Sequence, residues 1–207
     1  MTGYLTPVGP GEAELVEKRS RFIGQVWHVE SEEEARARIE ETKKKHYDAR
    51  HNCWCWRLRA GTERCGDDGE PQGTAGQPML NVFQAGGVTD LVCVVTRYFG
   101  GVLLGAGGLV RAYSAAAKAA LDSAGLQQMA EWQSFALDCP YSLYERVKRL
   151  LDGSEAVIER ADFGASVAIG ALVRAELATA FRKELAELSA GAVAAVPGEA
   201  CFRGVRI

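Results

Sequence analysis

The sequence predicts an α+β protein of two domains, residues 1–128 and 129–207. Three observations predict it. Leu91 to Thr96 is a nearly all-apolar, β-branched run and reads as a central strand covered on both faces. Two stretches, from Ser31 and from Leu109, place apolar residues at helical spacing. Around Met129 to Glu131 the pattern restarts and then runs strand, helix, strand, strand, helix, strand.

Taken in order, Glu14 to Val29 reads as two short strands around Lys18, Arg19, Ser20 and Arg21, with Phe22, Ile23, Val26 and Trp27 as the apolar content. Ser31 and Glu34 form a capping box that opens a helix. Glu32–Arg36, Glu34–Arg38, Glu40–Lys44 and Glu41–Lys45 are helical i,i+4 pairs, and Ala35, Ile39 and Thr42 leave a thin stripe to bury. This helix is a solvated one lying on a sheet. From Asn52 to Leu58, Trp54, Trp56 and Leu58 alternate with Cys53, Cys55 and Arg57, the period of a strand. Gly66 to Gly73 is a loop on turn chemistry. Pro78 suits the first turn of a short helix carrying Met79, Leu80, Val82 and Phe83, which Gly86 and Gly87 can end. Phe99 to Gly108 holds five glycines in ten residues, and the helix from Leu109 stops at Gly125.

In the second domain Trp132 to Asp138 is a strand. Ser142 with Glu145 is a second capping box, opening a helix with Leu143, Val147, Leu150 and Leu151. Ala156 to Phe163 and Ala165 to Val173 form a hairpin through Gly164. Leu177, Phe181, Leu185 and Leu188 mark another helix, and Ala192 to Val196 is the last strand. The order βαββαβ is that of the ferredoxin-like fold.

Composition narrows the function. The 207 residues are 47% hydrophobic and 25% charged, which excludes wholesale disorder. A net charge of −3 excludes a generally basic nucleic-acid coat but leaves room for a local basic patch. Residues 1–130 carry 15 basic and 16 acidic side chains and residues 131–207 carry 9 and 11, so neither domain attracts nucleic acid by bulk charge. No run approaches the ~18 apolar residues of a membrane span, so no membrane partner is expected. Met1 to Glu14 has no leader pattern, and six cysteines without a leader point to reduced thiols and a cytoplasmic location.

The densest chemistry lies in Asp67-Asp68-Gly69-Glu70-Pro71-Gln72-Gly73-Thr74, in Thr96-Arg97-Tyr98-Phe99-Gly100-Gly101 and in Leu104 to Tyr113. A glycine-rich turn ahead of a helix exposes N–H groups at the positive end of the helix dipole, which suits an anion. The expected binding residues are Asp68, Glu70, Thr74, Arg97, Tyr98, Gly100, Gly101, Gly105, Gly107, Gly108, Arg111 and Tyr113. Arg97 and Arg111 are either forked donors for phosphate or internal struts paired with Asp67, Asp68 or Glu70, and the sequence leaves both readings open. The turn is neither a Walker loop nor a dinucleotide fingerprint, because no Gly-Lys-Ser/Thr follows and Val110 stands where a third glycine belongs. Cys53 and Cys55 with His51 and Cys65 have the wrong spacing for zinc and read as buried small hydrophobes. A His51–Cys53 nucleophile pair lacks an orienting partner. The acids of 67–70 suit Mg²⁺ no better than capping and solubility. No metal, no cofactor and no catalytic residue is expected.

The motifs Asp68-Gly-Glu-Pro-Gln-Gly-Thr-Ala-Gly-Gln-Pro78, Val95-Thr-Arg-Tyr-Phe-Gly-Gly101 and Leu104-Gly-Ala-Gly-Gly-Leu-Val-Arg-Ala-Tyr113 closely resemble the signature of the IMPACT/YigZ family. Lys18-Arg-Ser-Arg-Phe22 and Ala49-Arg-His-Asn-Cys53 look like its earlier motifs, with Arg50 where many relatives have Thr. The resemblance covers residues ~14–125 on long motifs, and the remainder is similar to the C-terminal domain of bacterial two-domain members. It implies an N-terminal α/β sandwich like those of ribosomal proteins and elongation factors, followed by a ferredoxin-like domain. It also implies a non-enzymatic binding or regulatory protein linked to translation and to the stress response, whose partner is RNA, the ribosome or a translation factor. The alternative is an enzyme acting on a small phosphorylated or nucleotide ligand, an anionic ligand of the glycine-rich cleft. Salt-dependent binding to ribosomes or RNA favours the first reading, and saturable turnover of a metabolite favours the second.

Overall fold

A computed structural model describes residues 3–206; Met1 and Thr2, where the leader reading begins, and Ile207, which ends the expected second domain, lie outside the described residues. The chain forms two compact units, whose bulk is Tyr4–Gln128 and Met129–Arg203. The first carries β1 (Tyr4–Pro7), β2 (Gly11–Glu17), β3 (Ser20–His28), α1 (Glu32–Lys45), β4 (His51–Arg57), β5 (Glu63–Gly66), α2 (Gly76–Ala85), β6 (Leu91–Tyr98) and α3 (Ala106–Ala124). The strands β7 (Leu126–Cys139), β8 (Val157–Phe163), β9 (Val167–Arg174) and β10 (Ala195–Arg206) follow, with α4 (Tyr141–Gly153) after β7 and α5 (Ala178–Ser189) after β9.

In the first unit five strands pair antiparallel in the order β2-β3-β6-β4-β5. β6 is central, and its alternate residues supply two cores. Cys93 and Val95 pack with Cys53, Cys55, Met79, Phe83, Ala116 and Ala120 on the α2/α3 face. Val92 and Val94 pack with Ala35, Ile39 and Trp56 on the α1 face. Helices on both faces of one sheet make the α/β sandwich. α3 lies close on β3 because Gly24 has no side chain: a Cβ there would sit 2.4 Å from the Ala116 carbonyl oxygen. β2 and β3 are joined by Lys18 and Arg19 alone, with φ of 46° and 66°. That is the left-handed turn geometry a twisted hairpin needs, held here by two non-glycine residues.

α1 begins as expected, with Ser31 Oγ accepting from the Glu34 N–H and Ala35, Ile39 and Thr42 buried. Of its pairs Glu32–Arg36 forms, whereas Glu34 reaches back to the Glu30 N–H and Arg38 pairs with Glu41 at i,i+3. β1 and β5 are strands that the sequence reading did not anticipate. Both are four residues long, too short for a period-two signal.

In the second unit β10 pairs with β7, β7 with β9 and β9 with β8, the ferredoxin-like order. Phe135, Leu137, Ile169, Val173, Phe181 and Leu185 form its core. The second capping box does not form. α4 starts one residue earlier than Ser142, with Pro140 at the N-cap in extended geometry (φ −58°, ψ 145°) and no side-chain cap, so Ser142 already lies inside the first turn. The last strand is twelve residues rather than five and mostly exposed, so it lacks the apolar alternation that marks a half-buried strand.

Candidate functional site

Register builds the site. Phe22 of β3, Arg97 of β6 and His51 of β4 are direct cross-strand partners, so one row of the α2/α3 face reads Phe22–Arg97–His51. One row inward the same face is apolar, with Gly24, Val95 and Cys53. The polar row therefore closes the core at the end of the sheet where α3 starts.

The loop between β5 and α2 brings a carboxylate onto this row. Asp67 holds the loop: its carboxylate accepts from the N–H groups of Gly73, Ala75 and Gly76 and so caps α2. Asp68, at φ 43°, accepts from the Asn52 N–H at 2.7 Å and pairs with Lys43 at 3.0 Å. Glu70 then turns inward. Its Oε1 accepts from Arg97 Nη1 at 2.6 Å and from the Tyr113 hydroxyl at 2.9 Å. Arg97 also donates from Nη2 to Ser20 Oγ at 3.3 Å, and its guanidinium lies over the rings of Phe22 and Phe99, both at 5.4 Å. His51 Nδ1 lies 2.8 Å from the Asp68 carbonyl oxygen, which can only accept, so Nδ1 carries the proton and Nε2 faces Glu70 Oε1 at 3.9 Å. Burial pushes the Tyr113 phenol and the Cys53 thiol well above their ordinary ranges, so both stay protonated beside the carboxylate.

Above this floor opens a cleft of about 440 Å³. Glu70, Arg97 and His51 line its polar side, Phe99, Leu103, Leu104 and Leu109 its apolar side, and Arg50 stands beside Phe99, 5.6 Å from the ring centre. Gly105 and Ala106 bring the start of α3 to the same cleft, and Gly105, its N-cap, has no side chain to cap the helix. The glycine-rich stretch is thus less of a loop than its composition suggests. Gly107 and Gly108 already lie in the first turn of α3, which begins at Ala106 rather than Leu109. Gly100 lets the segment after β6 pass under the Lys18–Arg19 turn, since a Cβ there would meet the Arg19 carbonyl carbon at 2.1 Å.

Of the expected binding residues, Glu70, Arg97 and Gly105 line the cleft. Tyr98 points the other way, bonded to His46 and Asp48, because successive residues of a strand face opposite sides. Tyr113 lies beneath the floor and offers no stacking face. Arg111 faces a separate groove beside Leu15, Val16 and Glu17, a helical turn away. Thr74 is buried, its hydroxyl donating to the Pro71 carbonyl, and Asp68 braces Asn52 and Lys43. Gly101, at φ 83°, is exposed outside the cleft lining. The sequence reading passed over Arg50 and Phe99 as binding groups. Their signal was present in the Ala49-Arg-His-Asn-Cys53 stretch and the ring after Tyr98, but only strand register joins them. Among the described residues no group of three or more His, Cys, Asp or Glu could hold a metal ion. No helix among them is long and apolar enough to cross a membrane.

Residues 18–121 match the model of the Impact N-terminal domain, and residues 137–192 match a domain of unknown function, DUF1949. The chain is 36% identical over 197 residues to the IMPACT family member YigZ of Escherichia coli, covering 93% of this chain and 97% of that one. It is 34% identical over 190 residues to the IMPACT family member YvyE of Bacillus subtilis, covering 91% and 88%. A solved structure described as that of a hypothetical protein is 34% identical and superposes with a TM-score of 0.61, covering 96% of this chain and 98% of the other. With two relatives matched along nearly their whole length and one family model spanning the unit that holds the cleft, the chain belongs to the IMPACT family.

Proposed function

We propose that this is a non-enzymatic regulatory protein of the translation apparatus, acting in the cytoplasm, and that it contacts RNA through the cleft of its N-terminal unit. Membership of the IMPACT family suggests a translation-related regulatory role. The observation that carries the reading is the cationic and aromatic rim. The exposed Arg50 guanidinium lies 5.6 Å from the centre of the exposed Phe99 ring, beside the start of α3, in a chain of net charge −3. Cations that track a phosphate backbone and rings that stack bases are the parts from which single-stranded RNA sites are built. The exposed Lys18–Arg19 turn, held against Gly100, adds two further cations to this end of the sheet.

Fluorescence anisotropy with single-stranded RNA, and co-sedimentation with ribosomes, test this at rising salt. The expected result is binding that weakens between about 50 and 200 mM salt, with a shallower salt slope for Arg50→Ala. Binding to a translation factor with no RNA contact would replace RNA by protein as the partner.

One observation favours a second reading, an enzyme acting on a small phosphorylated or nucleotide ligand. His51 is held in a single tautomer with Nε2 turned towards a carboxylate, the arrangement of a general acid or base. The Cys53 thiol is a poor nucleophile for it, because burial pushes that thiol far above its ordinary range. Turnover of a phosphorylated metabolite that His51→Asn abolishes would establish this second reading.

A further inference from the structure

The cleft is divided by chemistry. One wall is apolar, with Phe99 exposed under the Arg50 guanidinium, Leu103 81% exposed, and Leu104 and Leu109 buried. Its floor is polar and incompletely used. The bonds from Arg97 and Tyr113 both arrive on Oε1 of Glu70. Arg97 is 5% exposed, and its Nε–H, itself buried, has no hydrogen-bond partner among the described residues. The third side is cationic, with Arg50 and the uncapped start of α3.

A free phosphate would use only the cationic side. A sugar phosphate would add the polar floor and leave the ring of Phe99 idle. A ligand that uses all three carries an anion, a π-face and an edge that can donate to Glu70, and that is a nucleotide. At about 440 Å³ the cleft has the size of a small-molecule site. We propose that it binds one nucleotide, with the base on Phe99, the base edge over Glu70 and Arg97, and the phosphate at Arg50 and the first turn of α3. This rests on the RNA reading above and names what the cleft takes from the RNA: a single unstacked nucleotide. Base–aromatic stacking is sequence-tolerant, so the apolar wall accepts any base, and the floor sets the preference among them.

Isothermal titration of the full chain with AMP, GMP, CMP and UMP tests the proposal, with ribose 5-phosphate and inorganic phosphate as controls. At least one nucleotide should bind on the order of ten-fold more tightly than ribose 5-phosphate. Phe99→Ala should remove that difference. Arg50→Ala should weaken nucleotide and sugar phosphate alike. Both side chains are exposed at the cleft, so folding is expected to survive, and the melting temperature of each variant checks it. Nucleotides that bind no better than ribose 5-phosphate, or a preference that Phe99→Ala leaves intact, would overturn the proposal. RNA binding that persists alongside such a result overturns the nucleotide pocket alone, whereas loss of RNA binding in the wild-type chain overturns the RNA reading itself.

Discussion

Arg97 Nη1 lies 2.6 Å from Oε1 of Glu70, 27 positions away in sequence, with the two side chains 6% and 3% exposed. The sequence alone left Arg97 as either a phosphate ligand or a strut. The pairing makes it the strut of the cleft floor, with one nitrogen still unpartnered. Arg50, exposed and not among the expected binding residues, is the cation at the cleft rim.

Removing one partner of a buried ion pair leaves the other charge uncompensated. Glu70→Ala is therefore expected to cost about 3–5 kcal/mol. Combining it with Arg97→Met should cost clearly less than the sum of the single changes. Urea denaturation of the two single variants and the double variant measures the coupling, and additive losses would mean that the pair is not coupled.

Alkaline pH should destabilise the fold. Burial pushes the thiols of Cys53, Cys55 and Cys93 well above the ordinary range, and it raises the Tyr113 phenol too. The unfolded chain releases thiol protons near pH 8.5 while the folded chain keeps them, so stability is full below that pH and falls above it. Each buried thiol contributes a slope of about 1.4 kcal/mol per pH unit. Denaturation midpoints at pH 8 and pH 10 check the sign. A thiol reagent should modify exposed Cys201 first and these three only after unfolding.

Gly24→Ala places a methyl 2.4 Å from the Ala116 carbonyl oxygen, so α3 must move off β3. The expected cost is about 1–3 kcal/mol, the range for overpacking. Gly153→Ala meets nothing within 4 Å and serves as the control. Equal melting temperatures for the two variants would contradict the close approach of α3 to β3.

Arg111 belongs to a different groove from Arg97. Arg111→Ala should leave RNA affinity and its salt slope unchanged and shift stability by no more than about 0.5 kcal/mol. A loss of RNA affinity matching that of Arg50→Ala would extend the interface to the Leu15–Glu17 side.

The sandwich was legible because its signals are local. The β-branched run of β6, the Trp/Cys alternation of β4 and the Ser31 cap each act within a few residues. Four-residue β5 and mostly exposed β10 carry no such pattern. The site was legible by residue type but not by direction. Glu70, Arg97 and Tyr113 stood out as candidates, yet which of them line the cleft depends on the pairing of Phe22, Arg97 and His51 across three strands. Spacing along the chain carries no such information. In sequence Asp67 reads, with its neighbours, as a strut partner or a cap, and its capping partners are amides six to nine residues on.

The most direct test measures RNA affinity against salt for the wild-type chain, Arg50→Glu and Phe99→Ala. If the N-terminal cleft is the RNA contact, the wild type binds with a clear salt dependence. Arg50→Glu then lowers affinity by at least about ten-fold and flattens the slope by about one ion, and Phe99→Ala lowers affinity without changing the slope. Wild-type affinity and slope retained in both variants would contradict the assignment of this cleft.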